Sequence, residues 1–186
     1  PGWVKVAGKP AKASLNLVVK NGRTRFEDIV VEGGGTQIKG YVELDENNNF
    51  VAASLPTFSP SDGDRASLKA ERGSDGALKV TMRGDLFDGR AFIKEAMAGR
   101  NDAKSNKKKP ALDVDLDIKL TAVMGHHGEA LRSLDFKGSR RGGRFRTLAL
   151  SAKIGRDTAL SGDIRGQTGA RQVIYLETMD AGAFFR

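Results

Sequence analysis

The sequence predicts a mainly β protein, built from one antiparallel, strongly curved sheet of two similar halves with one or two short helices. Three observations support this prediction: apolar and polar residues alternate, turn signals recur at hairpin spacing, and helical patterns are few. Glycine is abundant, at 23 residues, and proline is scarce, at 5, which is typical of strands joined by tight turns. The 186 residues are enough for a single domain.

The strands are identified by their period-two alternation. In residues 112–120 every even position is apolar and every odd position is charged, so one side of the strand is apolar and the other is solvated. The same theme recurs in residues 15–19, 38–44, 66–70, 78–82 and 148–154. We count about ten strands, more than the roughly three that a stable sheet needs.

Turn signals separate these segments. They are Asn21-Gly22, Gly33–Gly35, Asn47–Asn49, Asp75-Gly76 and Gly142-Gly143, all residue types that favour tight turns. Because such connections are too short for crossover helices, neighbouring strands are expected to run antiparallel.

Helix is expected in two short stretches. Asp88 is a candidate N-cap for a helix over residues 89–98 that Gly99 ends, and a second Asp-capped helix begins at Asp180. Residues 100–110 lack apolar periodicity and contain the run Lys-Ser-Asn-Lys-Lys-Lys, so we predict a mobile basic loop there.

The two halves, residues 1–99 and 111–186, resemble each other. Each has a strand led by an aromatic residue, Phe26 or Phe145, followed by a strand with a central glycine, Gly40 or Gly162. Each also ends with a strand and a short Asp-capped helix. This pattern indicates a duplication, although any two meandering sheets share some of these features.

Charge and cysteine content limit the function classes. The formal net charge is +8, which favours an anionic partner such as phospholipid headgroups, lipopolysaccharide or nucleic acid. Cysteine is absent, which excludes disulfides, thiolate metal sites and a cysteine nucleophile.

No segment of the sequence has the roughly 18–20 consecutive apolar residues of a membrane-spanning helix. The chain opens on Pro1 without a signal peptide and stops inside an apparent helix start. We therefore expect a piece of a longer polypeptide, with any membrane anchor outside it.

Three motifs have the residue types of reactive or binding sites, but their spacing argues against chemistry. His126 and His127 are adjacent and have no third ligand nearby in sequence. The acidic residues at 113, 115 and 117 lack the glycine and glutamate of a calcium loop, so we expect a solvated strand face paired with cations. Residues 140–144, Arg-Arg-Gly-Gly-Arg, are interpreted as a hairpin turn because a single RGG copy without interleaved aromatics is a weak RNA signal.

No catalytic triad, phosphate-binding loop or dinucleotide fingerprint is present in the sequence. We expect a protein that is not an enzyme and that has no cofactor, no metal and no nucleic-acid partner.

A one-sided apolar sheet must bury its apolar side, and the predicted helices are too few to cover about ten strands. Folding the sheet over itself would leave an apolar trough suited to acyl chains. The residues predicted to line it are Val42, Val80, Leu116, Ile118, Leu148 and Leu150; the competing interpretation is an ordinary sandwich core. The residues predicted to touch anionic headgroups are Lys107, Lys108, Lys109, Arg140 and Arg141.

Several motifs resemble the AsmA-like C-terminal region. Residues 26–35 read Phe-Glu-Asp-Ile-Val-Val-Glu-Gly-Gly-Gly and residues 38–45 read Ile-Lys-Gly-Tyr-Val-Glu-Leu-Asp. Shorter similarities lie at residues 128–132, 139–143, 152–157 and 175–182. The likeness covers nearly the whole chain and is greatest to the branch of large alphaproteobacterial envelope proteins related to YhdP, within the bridge-like lipid transfer superfamily.

The resemblance implies a U-shaped β-groove, or an open barrel-like sheet, on the periplasmic side of the inner membrane of a Gram-negative bacterium. It also implies that the chain guides phospholipid or another anionic envelope lipid between the two membranes, with the remainder of the same large polypeptide as its partner. The alternative is a structural or assembly β-sandwich module that acts through protein contacts and has no lipid site.

Overall fold

The computed structural model describes residues 10–90, 112–125, 130–155, 157–168, 171–180 and 182. These residues form eleven strands in one sheet. In chain order the strands are β1 Lys12–Lys20, β2 Arg23–Gly33, β3 Thr36–Leu44, β4 Phe50–Ser59, β5 Arg65–Arg72, β6 Leu78–Asp88, β7 Val114–Met124, β8 Ala130–Arg141, β9 Arg144–Ile154, β10 Thr158–Thr168 and β11 Arg171–Thr178.

The order of strands in the sheet is the order in the chain, and β1 and β11 form its two open edges. Nine of the ten pairings are antiparallel. The prediction of a mainly β, mostly antiparallel sheet with little helix is confirmed among the described residues.

The tenth pairing, between β6 and β7, is parallel and runs from Leu78 beside Val114 to Asp88 beside Met124. The prediction of a wholly antiparallel sheet is wrong at this position. A parallel pair needs a connection of about a dozen residues or more, and residues 89–113 are enough to make one.

All five predicted turns lie between consecutive strands. Asn21 and Gly22 have φ of 51° and 71°, and Gly142 and Gly143 have φ of 55° and 80°. A two-residue hairpin with positive φ at both central positions matches the right-handed twist of the flanking strands, and asparagine and glycine tolerate that conformation best.

Directly paired residues share a side of the sheet, so the pairings define one continuous apolar row across nine strands. It consists of Leu17, Phe26, Val42, Ala53, Ala70, Val80, Leu116, Gly138 and Leu148. We call this side of the sheet the apolar face. The adjacent row on the other side, the polar face, contains Arg25, Glu43, Ala52, Glu71, Lys79, Asp115, Ser139 and Thr147.

The best-buried side chains form two clusters joined through β8. One contains Ala66, Met82, Leu120 and Val123, and the other contains Ala152, Ile154 and Leu160. Leu131 and Leu134 pack against both clusters. The best-buried part of the sheet therefore lies toward the ends of β6 and β7 that hold Asp88 and Met124.

Asp88, the predicted N-cap, accepts the backbone N–H of Arg90 at its Oδ1 at 3.1 Å. The helix expected to follow and the basic loop at residues 100–110, including Lys107, Lys108 and Lys109, lie outside the described residues. The same holds for His126, His127 and most of the second expected helix.

Candidate functional site

The structure places all six predicted groove residues on the apolar face. Val42, Val80, Leu116 and Leu148 lie in the continuous row defined above. Ile118 and Leu150 lie in the next row, where each pairs with Phe136. Val42 and Leu148 are 106 residues apart in the chain. They nevertheless lie on one surface, because each strand pairing between them joins residues on the same side of the sheet.

This second row continues the apolar face to the far edge of the sheet. Its members are Leu55, Leu68, Met82, Ile118, Phe136, Leu150, Gly162 and Leu176. The sequence pattern does not single out Phe136 or Ala53, which help to complete the two rows. Their position follows only from the register of strands that are distant in sequence.

All six predicted residues are half-buried. Within the described residues, the extensive backbone contacts between elements join strands that are neighbours in the sheet.

Exposure of apolar side chains is greatest at the two edges of the sheet. Leu17 and Val19 in β1 are 59% and 69% exposed, and Ile174 and Leu176 in β11 are 51% and 43% exposed. An edge strand also has one side of unpaired backbone groups. Among the described residues, both edges thus combine backbone groups that no other strand pairs with and exposed apolar side chains.

Two glycines in the apolar rows are closely surrounded. A Cβ at Gly138 would lie 3.1 Å from the Phe136 ring, and a Cβ at Gly162 would lie 2.7 Å from Leu176 Cδ2. At these two glycines the larger neighbouring side chains cover the backbone, so the glycines do not interrupt the apolar surface.

The polar face is held by ion pairs between neighbouring strands. Arg83 contacts Asp117 at 2.9 Å and Lys119 contacts Asp135 at 3.0 Å. The hydrogen bond from Arg83, together with the nearby charges of Arg83, Lys137 and Lys119, holds the pKa of Asp117 below its usual range. The expected pairing with cations is confirmed at Asp115 and Asp117, whereas Asp113 accepts the backbone N–H of Gly142.

The two arginines predicted to contact headgroups differ in their surroundings. Arg141 lies on the polar face, where its guanidinium donates to both Asp115 oxygens at 2.8 and 2.9 Å and contacts Asp75 at 3.2 Å. These bonds raise the pKa of Arg141 and lower that of Asp115. Arg140 points the opposite way, onto the apolar face, beside Val114 and Phe145.

The buried carboxylate of Asp64 has a structural explanation. It accepts backbone N–H bonds from Ser61 at 2.8 Å and from Asp88 at 2.6 Å, and thereby ties the β4–β5 turn to the end of β6. Burial raises the pKa of Asp64, against the two N–H donors that lower it. Its hydrogen-bond partners are both structural backbone groups.

The described residues contain no group of three or more His, Asp or Glu side chains placed to hold a metal ion. In that same part of the chain no helix has the length and apolar character to span a membrane.

Comparisons of the chain with protein-family models, with curated proteins and with solved structures find no match.

Proposed function

We propose that this chain is a non-catalytic segment of an AsmA-like envelope protein, in which the apolar face binds phospholipid and guides it between the inner and outer membranes. The observation that carries the proposal is the continuous apolar row, which crosses nine strands and in which the predicted groove residues are only half-buried. A surface of this kind gains about 0.8 kcal/mol for each acyl CH₂ that it removes from water.

A row of aliphatic side chains suits a guiding surface because the hydrophobic effect has no direction. An acyl chain that moves from Val80 to Leu116 exchanges one apolar neighbour for another, so no single position holds it tightly. In this proposal the sheet is strongly curved into a U-shaped or open barrel-like groove, and its two halves are related repeats.

The proposed setting is the periplasmic side of the inner membrane of a Gram-negative bacterium, with a membrane anchor elsewhere in a larger polypeptide. The exposed edges support the proposal of further strands from that polypeptide. Soluble proteins usually protect edge strands with charges or proline, whereas Leu15, Leu17, Val18 and Val19 occupy the middle of β1.

The same edges favour a second candidate function. A structural or assembly module that acts through protein contacts would use β1 and β11 as binding strands, and the half-buried apolar face would be covered by the partner. This alternative has no lipid site.

A pair of variants on adjacent residues of β9 tests lipid binding. Leu148 lies half-buried on the apolar face, and Thr147 lies exposed on the polar face. The purified chain is incubated with mixed bacterial phospholipids, and bound lipid is counted by native mass spectrometry. We expect Leu148→Gln to lower lipid occupancy about fivefold, since it removes roughly 1 kcal/mol of apolar contact, and Thr147→Gln to leave it unchanged.

Circular dichroism at matched concentrations verifies that both variants remain folded. If the native chain retains no phospholipid, the lipid proposal is contradicted and the assembly module remains as the candidate function. Equal lipid binding by the native chain and Leu148→Gln also argues against the apolar face as the binding surface.

A further inference from the structure

The β8–β9 hairpin end has an unusual concentration of positive charge. Arg140, Arg141, Arg144 and Arg146 fall within seven residues, and the sequence contains no aspartate or glutamate between Asp135 and Asp157. Arg140 and Arg141 lie on opposite sides of the sheet, and they differ in whether a carboxylate pairs with them.

Arg141 is already neutralised on the polar face. Its guanidinium is shared between Asp115 and Asp75, and the nearby Asp113 accepts the backbone N–H of Gly142 at 2.7 Å. The carboxylates at this end of the sheet are therefore all engaged on the polar side.

Arg140 lies on the apolar face and is half-buried. Its paired neighbours are Val114 and Phe145, and in the part of the chain that the structure describes it has no carboxylate within ion-pair distance. Along the same row, Arg72 pairs with Leu78, which in turn pairs with Val114. Two arginines thus border the turn end of the apolar face, about 14 Å apart at the usual strand spacing.

A half-buried guanidinium without an anion loses part of its hydration and gains no ion pair in return. Its planar set of donors fits phosphate or carboxylate with two parallel hydrogen bonds. The apolar side chains beside Arg140 make a bare inorganic anion a poor match for the site. An amphiphile satisfies both surfaces, with its anion on Arg140 and its acyl chain over Leu116 and Leu148.

We propose that Arg140 binds the anionic headgroup of a lipid at the β8–β9 end of the apolar face, so that the lipid lies with its headgroup at this end and its acyl chain directed toward Ile118. The inference rests on the proposed function, because it assumes that the apolar face holds acyl chains. It adds a preference for anionic over zwitterionic headgroups and a fixed orientation of the bound lipid.

The test compares palmitoyl lysophosphatidylglycerol with palmitoyl lysophosphatidylcholine, which share an acyl chain and differ in net charge. Both are titrated below their micelle concentration into the native chain, Arg140→Gln and the matched variant Lys137→Gln. Lys137 lies in the same strand, is exposed and is on the polar face. We expect Arg140→Gln to weaken binding of the anionic lipid about tenfold, as expected of a charge-assisted hydrogen bond.

Binding of the zwitterionic lipid should weaken less than that of the anionic lipid in Arg140→Gln, because its choline cation offsets the charge of its phosphate. Lys137→Gln should leave binding of both lipids within about twofold of the native value, as expected of an exposed charge. Equal effects of Arg140→Gln and Lys137→Gln on the anionic lipid would overturn the assignment of Arg140 while leaving the acyl-binding face intact. If neither lipid binds the native chain, it is the proposed function that fails.

Two further titrations identify the source of the anion. Inorganic phosphate or a single-stranded oligonucleotide that binds with the affinity of the anionic lipid, and loses it in Arg140→Gln, would show a site for free or nucleic-acid phosphate and would overturn the lipid assignment. Weak binding of both inorganic phosphate and the oligonucleotide would support the lipid assignment.

Discussion

Adjacent residues of β7 belong to two different surfaces. Asp115 and Asp117 face one side of the sheet and pair with Arg141 and Arg83. Leu116 and Ile118 face the other side, where their cross-strand neighbours are apolar or glycine. On the polar face these two carboxylates each have a cation, whereas on the apolar face Leu116 and Ile118 are half-buried.

Because the two faces differ in this way, they are expected to contribute differently to the stability of the fold and to binding. Ion pairs that are well exposed contribute little free energy of unfolding, so the polar face mainly keeps that side of the sheet soluble. The apolar face supplies the buried clusters near Leu120 and Leu160 and also the half-buried surface beyond them. We expect substitutions on the two faces to have effects of very different size.

The largest expected effect is at Leu120, which is 4% exposed and packs in the cluster with Met82. Leu120→Ala should lower the free energy of unfolding by about 2–5 kcal/mol, because it removes buried contacts and leaves a cavity. Its neighbour Lys119 faces the other side in an exposed ion pair, and Lys119→Ala should cost less than about 1 kcal/mol. Urea denaturation followed by circular dichroism measures both, and similar losses would mean that the faces do not differ as described.

A smaller effect is expected from acid on the polar face. The folded-state pKa of Asp117 is lowered by Arg83, so the stability that this pair provides is fully present above the ordinary aspartate pKa and is lost as the pH falls through the folded value. Asp117→Asn should reduce the free energy of unfolding by less than about 1 kcal/mol near neutral pH, and the difference from the native chain should close in acid, as the pH falls through the lowered folded-state pKa of Asp117. If the difference in free energy of unfolding between the native chain and Asp117→Asn were the same at neutral and at acidic pH, this contribution of the ion pair would be contradicted.

The smallest change in stability is expected at the sheet edge. Leu17 is 59% exposed, so Leu17→Lys should alter the free energy of unfolding by no more than about 0.5 kcal/mol. A lysine in the middle of β1 should nevertheless reduce association of the chain with itself, since charges oppose pairing between edges. Sedimentation velocity checks this, with Thr147→Lys on an interior strand as the control. Unchanged association in Leu17→Lys would remove the support that the edge gives to the assembly alternative.

Local features of the fold are predictable from the sequence, because turns and alternation depend on nearby residues. The strand at residues 112–120 and the Asn21-Gly22 turn are clear for this reason. β4 and β8 are less visible: β4 contains Pro56 and two shifts of register against β3, and β8 contains Ser133 at a φ of 51° where its register against β9 shifts. Each irregularity interrupts the period-two pattern.

The candidate site is predictable only in part. Local alternation places Leu116 and Ile118 on an apolar side, and it correctly groups them with Val80. It does not show that β6 and β7 pair in parallel, since that pairing joins residues separated by a long connection. For the same reason it does not distinguish Arg140 from Arg141, whose opposite directions depend on the register of β8 against β7.

The parallel pairing of β6 with β7 also determines how the sheet could be lengthened. Direction reverses at each antiparallel step and is kept at the single parallel one, so β1 and β11 point in opposite directions. A second copy of this sheet, translated beyond β11 without rotation, would therefore place its first strand antiparallel to β11. Its apolar face would then continue that of the first copy. Units of this kind could be added in series with an antiparallel pairing at every junction. In a wholly antiparallel sheet of eleven strands, the first and last strands would point the same way, and each junction between units would have to be a parallel pairing.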